Sequence, residues 1–100
     1  MEKYDVKLLP KAYRDIDQIF DYITNELLEP KIAENTFESI EEAILSLEEL
    51  PYRGSERKVG IYANRGYRQL FVKNFTVIYR VDENIKYVIV VTVKYSPSYF

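Results

Sequence analysis

One hundred residues with a formal net charge of −2 are enough for one domain, in which roughly 60–70% of the unfolded surface is buried. The chain has no cysteine and no histidine, which excludes disulfides and thiolate metal sites and removes the usual general base and the commonest metal ligand. No run is long and apolar enough to span a membrane, and the first residues do not resemble a signal peptide, so a cytoplasmic location is expected.

Tyr4–Leu8 alternates, with Tyr4, Val6 and Leu8 on one side and Asp5 and Lys7 on the other, the pattern of a half-buried strand. Pro10 then sits where a first helical residue loses nothing by lacking an N–H. Ala12, Ile16, Ile19, Phe20, Ile23 and Leu27 fall on one helical face, and Arg14, Asp15, Asp17, Gln18 and Asp21 lie largely off it. A turn near Leu28-Glu29 leads to Pro30 and a second helix ending at Pro51. Its stripe is Ala33, Phe37, Ile40, Ile44 and Leu47, and its outer face is glutamate-rich. Helices joined this tightly form an antiparallel hairpin. The glutamates read as a solvated face rather than a metal or acid–base site.

Residues 52–66 hold all three glycines and form the longest loop, with a short strand expected around Val59–Tyr62. Neither phosphate-loop glycine spacing is present. Two β-rich runs follow, Tyr67–Val72 and Phe75–Val81, split by Lys73-Asn74. A two-residue turn there pairs Val72 with Phe75 and fixes every other pair. One face then carries Leu70, Val72, Phe75, Val77, Tyr79 and Arg68. The other carries Tyr67, Gln69, Phe71, Thr76, Ile78 and Arg80, mixed enough to meet solvent or a partner. After a turn at Asp82-Glu83-Asn84, Tyr87–Tyr95 is apolar on both faces, as in a central strand. Val88 and Val90 are expected on one face, and Ile89, Val91 and Val93 on the other. The expected fold is α+β, in the order β-α-α-β-β-β, with the helical hairpin on a mainly antiparallel four-stranded sheet.

The charge is lopsided. Residues 11–51 carry eleven acidic side chains against Lys11, Arg14 and Lys31, a net of −8, whereas residues 52–80 net +6. Such asymmetry fits a polyanion or an acidic partner for one half of the fold, or two charge sets that simply solvate their surfaces and attract each other.

The run YDVKLLPKAYRDIDQIFDYI, the helix end Ala43-Ile44-Leu45-Ser46-Leu47 with Leu50-Pro51, Tyr67-Arg68-Gln69-Leu70, Tyr79-Arg80-Val81 and the closing strand together resemble toxins of the RelE/ParE superfamily, from bacterial type II toxin–antitoxin modules. The resemblance covers nearly the whole chain. It implies a growth-arresting protein held by a cognate antitoxin in a hetero-oligomer, without a cofactor, metal or membrane. Two targets occur in the superfamily: ParE-like members poison DNA gyrase, and RelE-like members cut mRNA in the ribosome without a metal. Thr76 stands where superfamily nucleases usually carry an arginine. Lys94, Tyr95 and Tyr99 stand where they often carry His, Tyr or Arg. The candidate catalytic residues are therefore Arg68, Arg80, Lys94 and Tyr95, which could stabilise a phosphorane but offer no base near neutrality, since Tyr and Lys titrate at about pH 10. Alternatively, Arg68 pairs with Asp17 or Asp21 and Tyr95 is an ordinary strand aromatic. The absent arginine and histidine lean the reading towards gyrase. A degenerate toxin that only binds its antitoxin is a third reading. The candidate partner-binding residues are Tyr67, Gln69, Thr76, Arg80, Arg57 and Lys58.

Overall fold

The hairpin at 67–81 forms with the register its turn dictates. In the computed structural model, which describes residues 3–95, the elements are β1 (Asp5–Leu8), α1 (Pro10–Asp21), a π-helical turn (Tyr22–Glu26), α2 (Pro30–Ser46), β2 (Ser55–Glu56), β3 (Arg68–Val72), β4 (Phe75–Asp82) and β5 (Tyr87–Tyr95). Val72 pairs with Phe75 and Arg68 with Tyr79. Lys73 takes the positive φ that the two-residue turn requires. Asp82 Oδ1 accepts the Asn84 N–H at 3.0 Å and closes the next turn.

The sheet order is β1-β5-β4-β3-β2. β1 runs parallel to β5 and the other neighbours are antiparallel. β5 is thus flanked on both sides, as its two apolar faces require. The fold class matches expectation with one more strand. The extra strand is Ser55–Glu56, paired with Gln69 and Arg68, and 59–62 forms a bend and a turn instead. Gly54 permits that pairing. A Cβ there would stand 2.3 Å from the Gln69 carbonyl oxygen and 2.7 Å from the Tyr79 hydroxyl, which accepts the Gly54 N–H at 3.1 Å.

The helical hairpin covers one sheet face. Ala12, Ile40, Ile44 and Leu47 pack there with Tyr4, Leu70, Val72, Val77, Tyr79, Val88, Val90 and Val93. Val93 therefore shares a face with Val88 and Val90, contrary to simple alternation. The cause is an irregularity between Ile78 and Tyr79, where Ile78 faces Thr92 but Tyr79 faces Val90. Val91 is the extra residue of a bulge, and it inverts the pattern beyond it.

Three further expectations change. Helix α1 runs into the π-helical turn, where the Leu27 N–H bonds Tyr22 O at 3.2 Å. One extra residue in a turn rotates the later residues by about 100°, so Leu27 leaves the apolar stripe and is exposed. Helix α2 stops at Ser46, before Pro51, where the Ser46 hydroxyl bonds the Ala43 carbonyl at 2.6 Å, and residues 47–49 form a turn. Finally, Thr76 and Ile78, placed on the half-polar face, are fully buried.

Candidate partner-binding groove

β1 pairs with β5 only as far as Val90, so among the described residues the outer edge of β5 beyond it has no strand neighbour. Helix α1 passes alongside instead and presents Asp15. Its Oδ2 accepts the Val93 N–H at 3.1 Å and the Thr92 hydroxyl. Lys11 Nζ reaches Asp15 at 3.0 Å and Thr92 Oγ1 at 3.1 Å. Burial alone would raise the Asp15 pKa, but the hydrogen bonds from Thr92, Lys11 and Val93 and the Lys11 charge together hold it below its ordinary value. Asp15, read from sequence as an outward residue, is what fastens the helix to the strand edge.

Around this contact opens a groove of about 850 Å³. One wall is helical: Ile19, Tyr22, Ile23, Leu27 and Ile32, with Lys11, Gln18 and Glu29. The other is the sheet end, Asn74, Phe75, Val93, Lys94 and Tyr95. Ile61 and Tyr62 of the long loop complete it. Tyr22, Leu27, Ile32, Ile61 and Tyr95 expose half or more of their surface, Ile61 as much as 77%. Apolar side chains this exposed around one concavity mark a binding site.

Part of the basic segment adjoins its loop wall, and the rest lies towards the other end of the sheet. Arg57 lies next to Tyr67 through its N–H to the Tyr67 carbonyl at 2.8 Å. Its guanidinium bonds Gln69 Oε1 at 2.7 Å and Val59 O at 3.1 Å. Arg65 reaches Ile61 O at 3.3 Å. Arg68 bonds the carbonyls of Tyr52 and Gly54 and lies 5.2 Å from the centre of the Tyr52 ring. Arg53 bonds Ser46 Oγ at 2.7 Å. These partners are neutral. The ion pairs among the described residues are Lys11–Asp15, Lys31–Glu34 and Lys86–Glu83, so no arginine meets a carboxylate there. The two halves of the charge pattern are not paired off against each other, and Arg68 pairs with neither Asp17 nor Asp21.

Of the candidate partner residues, Arg57, Tyr67 and Gln69 cluster, with Tyr62 packed edge-on to Tyr67 at 4.9 Å. Lys58 and Arg80 are exposed. Thr76 is buried, with no hydrogen-bond partner for its hydroxyl, and cannot touch a partner without rearrangement. The candidate catalytic residues are not brought together. Arg68 faces Tyr79 near the middle of β4, while Lys94 faces Thr76 and Tyr95 faces Phe75 at its start. Arg80 and Thr76 are four positions apart on β4, roughly 13 Å at strand rise. Tyr95 packs edge-on to Phe75 at 5.7 Å, as a strand aromatic does. Tyr99 lies outside the described residues.

A second carboxylate centre ties the loop to the far end of the sheet. Glu83 Oε1 accepts the hydroxyls of Tyr52 at 2.6 Å and Tyr4 at 2.7 Å. The bond to Glu83, reinforced by desolvation, pushes Tyr52 up to about 12, and the same bonds lower Glu83. Neither tyrosine is thereby nearer to serving as a base.

A family model for the ParE toxin of type II toxin–antitoxin systems matches residues 6–96, and the chain belongs to that family. Solved structures agree on the fold. The chromosomal ParDE system from P. aeruginosa superposes with a TM-score of 0.77 at 22% identity, covering 96% of this chain and 99% of that one. The RelBE2 toxin–antitoxin complex from Mycobacterium tuberculosis gives 0.67 at 20%, covering 98% and 97%. The YoeB/ParE toxin from Agrobacterium tumefaciens gives 0.62 at 18%, covering 91% and 96%. No curated protein sequence matches.

Proposed function

We propose that this ParE-family toxin acts in the cytoplasm on DNA gyrase and is silenced by an antitoxin segment lodged in the groove between helical hairpin and sheet. The observation that carries the partner is the groove: exposed apolar anchors converge on it, and Arg65, which has no carboxylate partner among the described residues, is bonded to Ile61 of its loop wall. An amphipathic acidic segment satisfies both, folding as it binds. The ParDE system and the RelBE2 complex among the structural neighbours support a partner of this kind. For the target, the spread of Arg68, Arg80, Lys94 and Tyr95 over β3, β4 and β5 supports gyrase over ribosomal mRNA, because phosphoryl chemistry needs such groups around one phosphate.

The test sets both targets side by side. Purified toxin is expected to trap gyrase–DNA cleavage complexes on supercoiled plasmid and to leave mRNA intact in programmed ribosomes. Ribosome-dependent cleavage that disappears in Arg68→Ala, with the fold preserved, would reverse the assignment and restore the nuclease reading.

A further inference from the structure

The sheet has a second open edge, one strand further out than the edge of β5 that borders the groove already described. β1 is an outermost strand. Asp5 donates its N–H to Lys86 O at 3.0 Å and Leu9 to Val90 O at 2.9 Å, so alternate residues turn towards β5. Val6 and Leu8, between them, aim their N–H and C=O groups outward. Beside this edge is a smaller groove of about 400 Å³, lined by Val6, Leu8, Tyr13, Phe37, Ile44 and Leu45. Tyr13, Phe37 and Leu45 are 59%, 41% and 51% exposed. An unpaired edge next to exposed apolar side chains is a site for adding a strand.

We infer that the added strand is β1 of a second copy, antiparallel about a two-fold axis through Val6. The charge pattern selects this occupant and register. Outward-facing residues must sit opposite one another, so the chain can slip only in steps of two. With Val6 opposite Val6 of the second copy, each exposed Asp5 lies across from an exposed Lys7, giving two unlike pairs. Slipping one way puts Asp5 against Asp5, and slipping the other puts Lys7 against Lys7. Val6 and Leu8 supply the ladder donors, because the Tyr4 N–H is already held by Glu48 O at 2.8 Å. Asp17, Glu41 and Glu48 also border the groove. Their mutual repulsion makes physiological salt the proper condition for measurement.

Sedimentation equilibrium of the full chain is expected to show a concentration-dependent dimer. Asp5→Lys and Lys7→Asp should each weaken it by about tenfold or more, since each turns both attractive pairs repulsive. The double swap should restore it, and Val6→Pro, which removes an outward donor, should abolish it while circular dichroism stays unchanged. A chain that is monomeric throughout, or single swaps that the double swap does not rescue, would overturn the inference. Loss of antitoxin binding in Val6→Pro with no dimer in the parent chain would assign the edge to the antitoxin instead.

Discussion

Asp15 shows how one side chain decides where a helix lies. Its carboxylate satisfies a strand-edge N–H that would otherwise face a groove, and it does so from a largely buried position, with 14% of the side chain exposed. Removing it strands the Val93 N–H and the Thr92 hydroxyl. Asp15→Ala is therefore expected to cost about 1.5–3 kcal/mol, measured by urea unfolding at neutral pH. The pH dependence takes its sign from the direction of the shift. The folded pKa lies below the ordinary value of 3.8, so the contribution is fully present above about pH 5 and is lost as pH falls through the folded value. Wild type and variant should converge in stability on acidification. A difference that stays constant to pH 2 would mean that the carboxylate acts by packing rather than charge. None of this was visible in the sequence, where Asp15 sits among polar residues off the apolar stripe, and only the strand bulge brings its partners within reach.

Among the elements, periodicity was a faithful guide wherever the backbone stayed regular. The hairpin register, the β5 boundaries and the helix starts at Pro10 and Pro30 were all legible. The misplaced side chains Val93 and Leu27 fall on backbone irregularities that change the period, whereas the early end of α2 and the burial of Thr76 and Ile78 do not. The bulge at Val91 moved Val93 across the sheet, the π-helical turn moved Leu27 out of the stripe, and β2 was too short for alternation to register. The groove was half legible for the same reason: Ile19 and Ile23 read as core, but Tyr22, Leu27 and Ile32 open towards it only once the π turn and the loop are placed. The hairpin tip is a place to measure such a local irregularity. The Glu29 N–H bonds Ile23 O at 3.1 Å, and Leu28 has φ of +54°, a helix stop whose left-handed position normally belongs to glycine. Leu28 is 76% exposed, so little packing is lost on replacement. Leu28→Gly should raise stability by about 1 kcal/mol, after the entropy cost of glycine, and raise Tm in a thermal scan. An unchanged or lower Tm would show that the leucine side chain is held by contacts at the tip.

At the scale of the whole molecule, the proposed function has the groove and the cationic segment divide the work of holding one partner, and kinetics can separate them. Apolar anchors govern how slowly a complex comes apart, while charge governs how fast it forms. The arginines bonded to carbonyls are fixed in place yet electrically uncompensated among the described residues, which is the condition for steering an acidic chain. Stopped-flow mixing with the cognate antitoxin should therefore give an association rate that falls as salt rises. Arg80→Ala and Tyr67→Ala should weaken the complex, by about 1–3 kcal/mol if either is a dominant contact. Arg80→Ala should act mainly on association and flatten its salt dependence. Tyr22→Ala, in the apolar wall, should act mainly on dissociation and leave the salt slope alone. If the association rate ignores salt while Tyr22→Ala still speeds release, the groove alone belongs to the antitoxin. The basic segment is then left for the target, where a negatively charged DNA-bound gyrase surface is the partner its charge would fit.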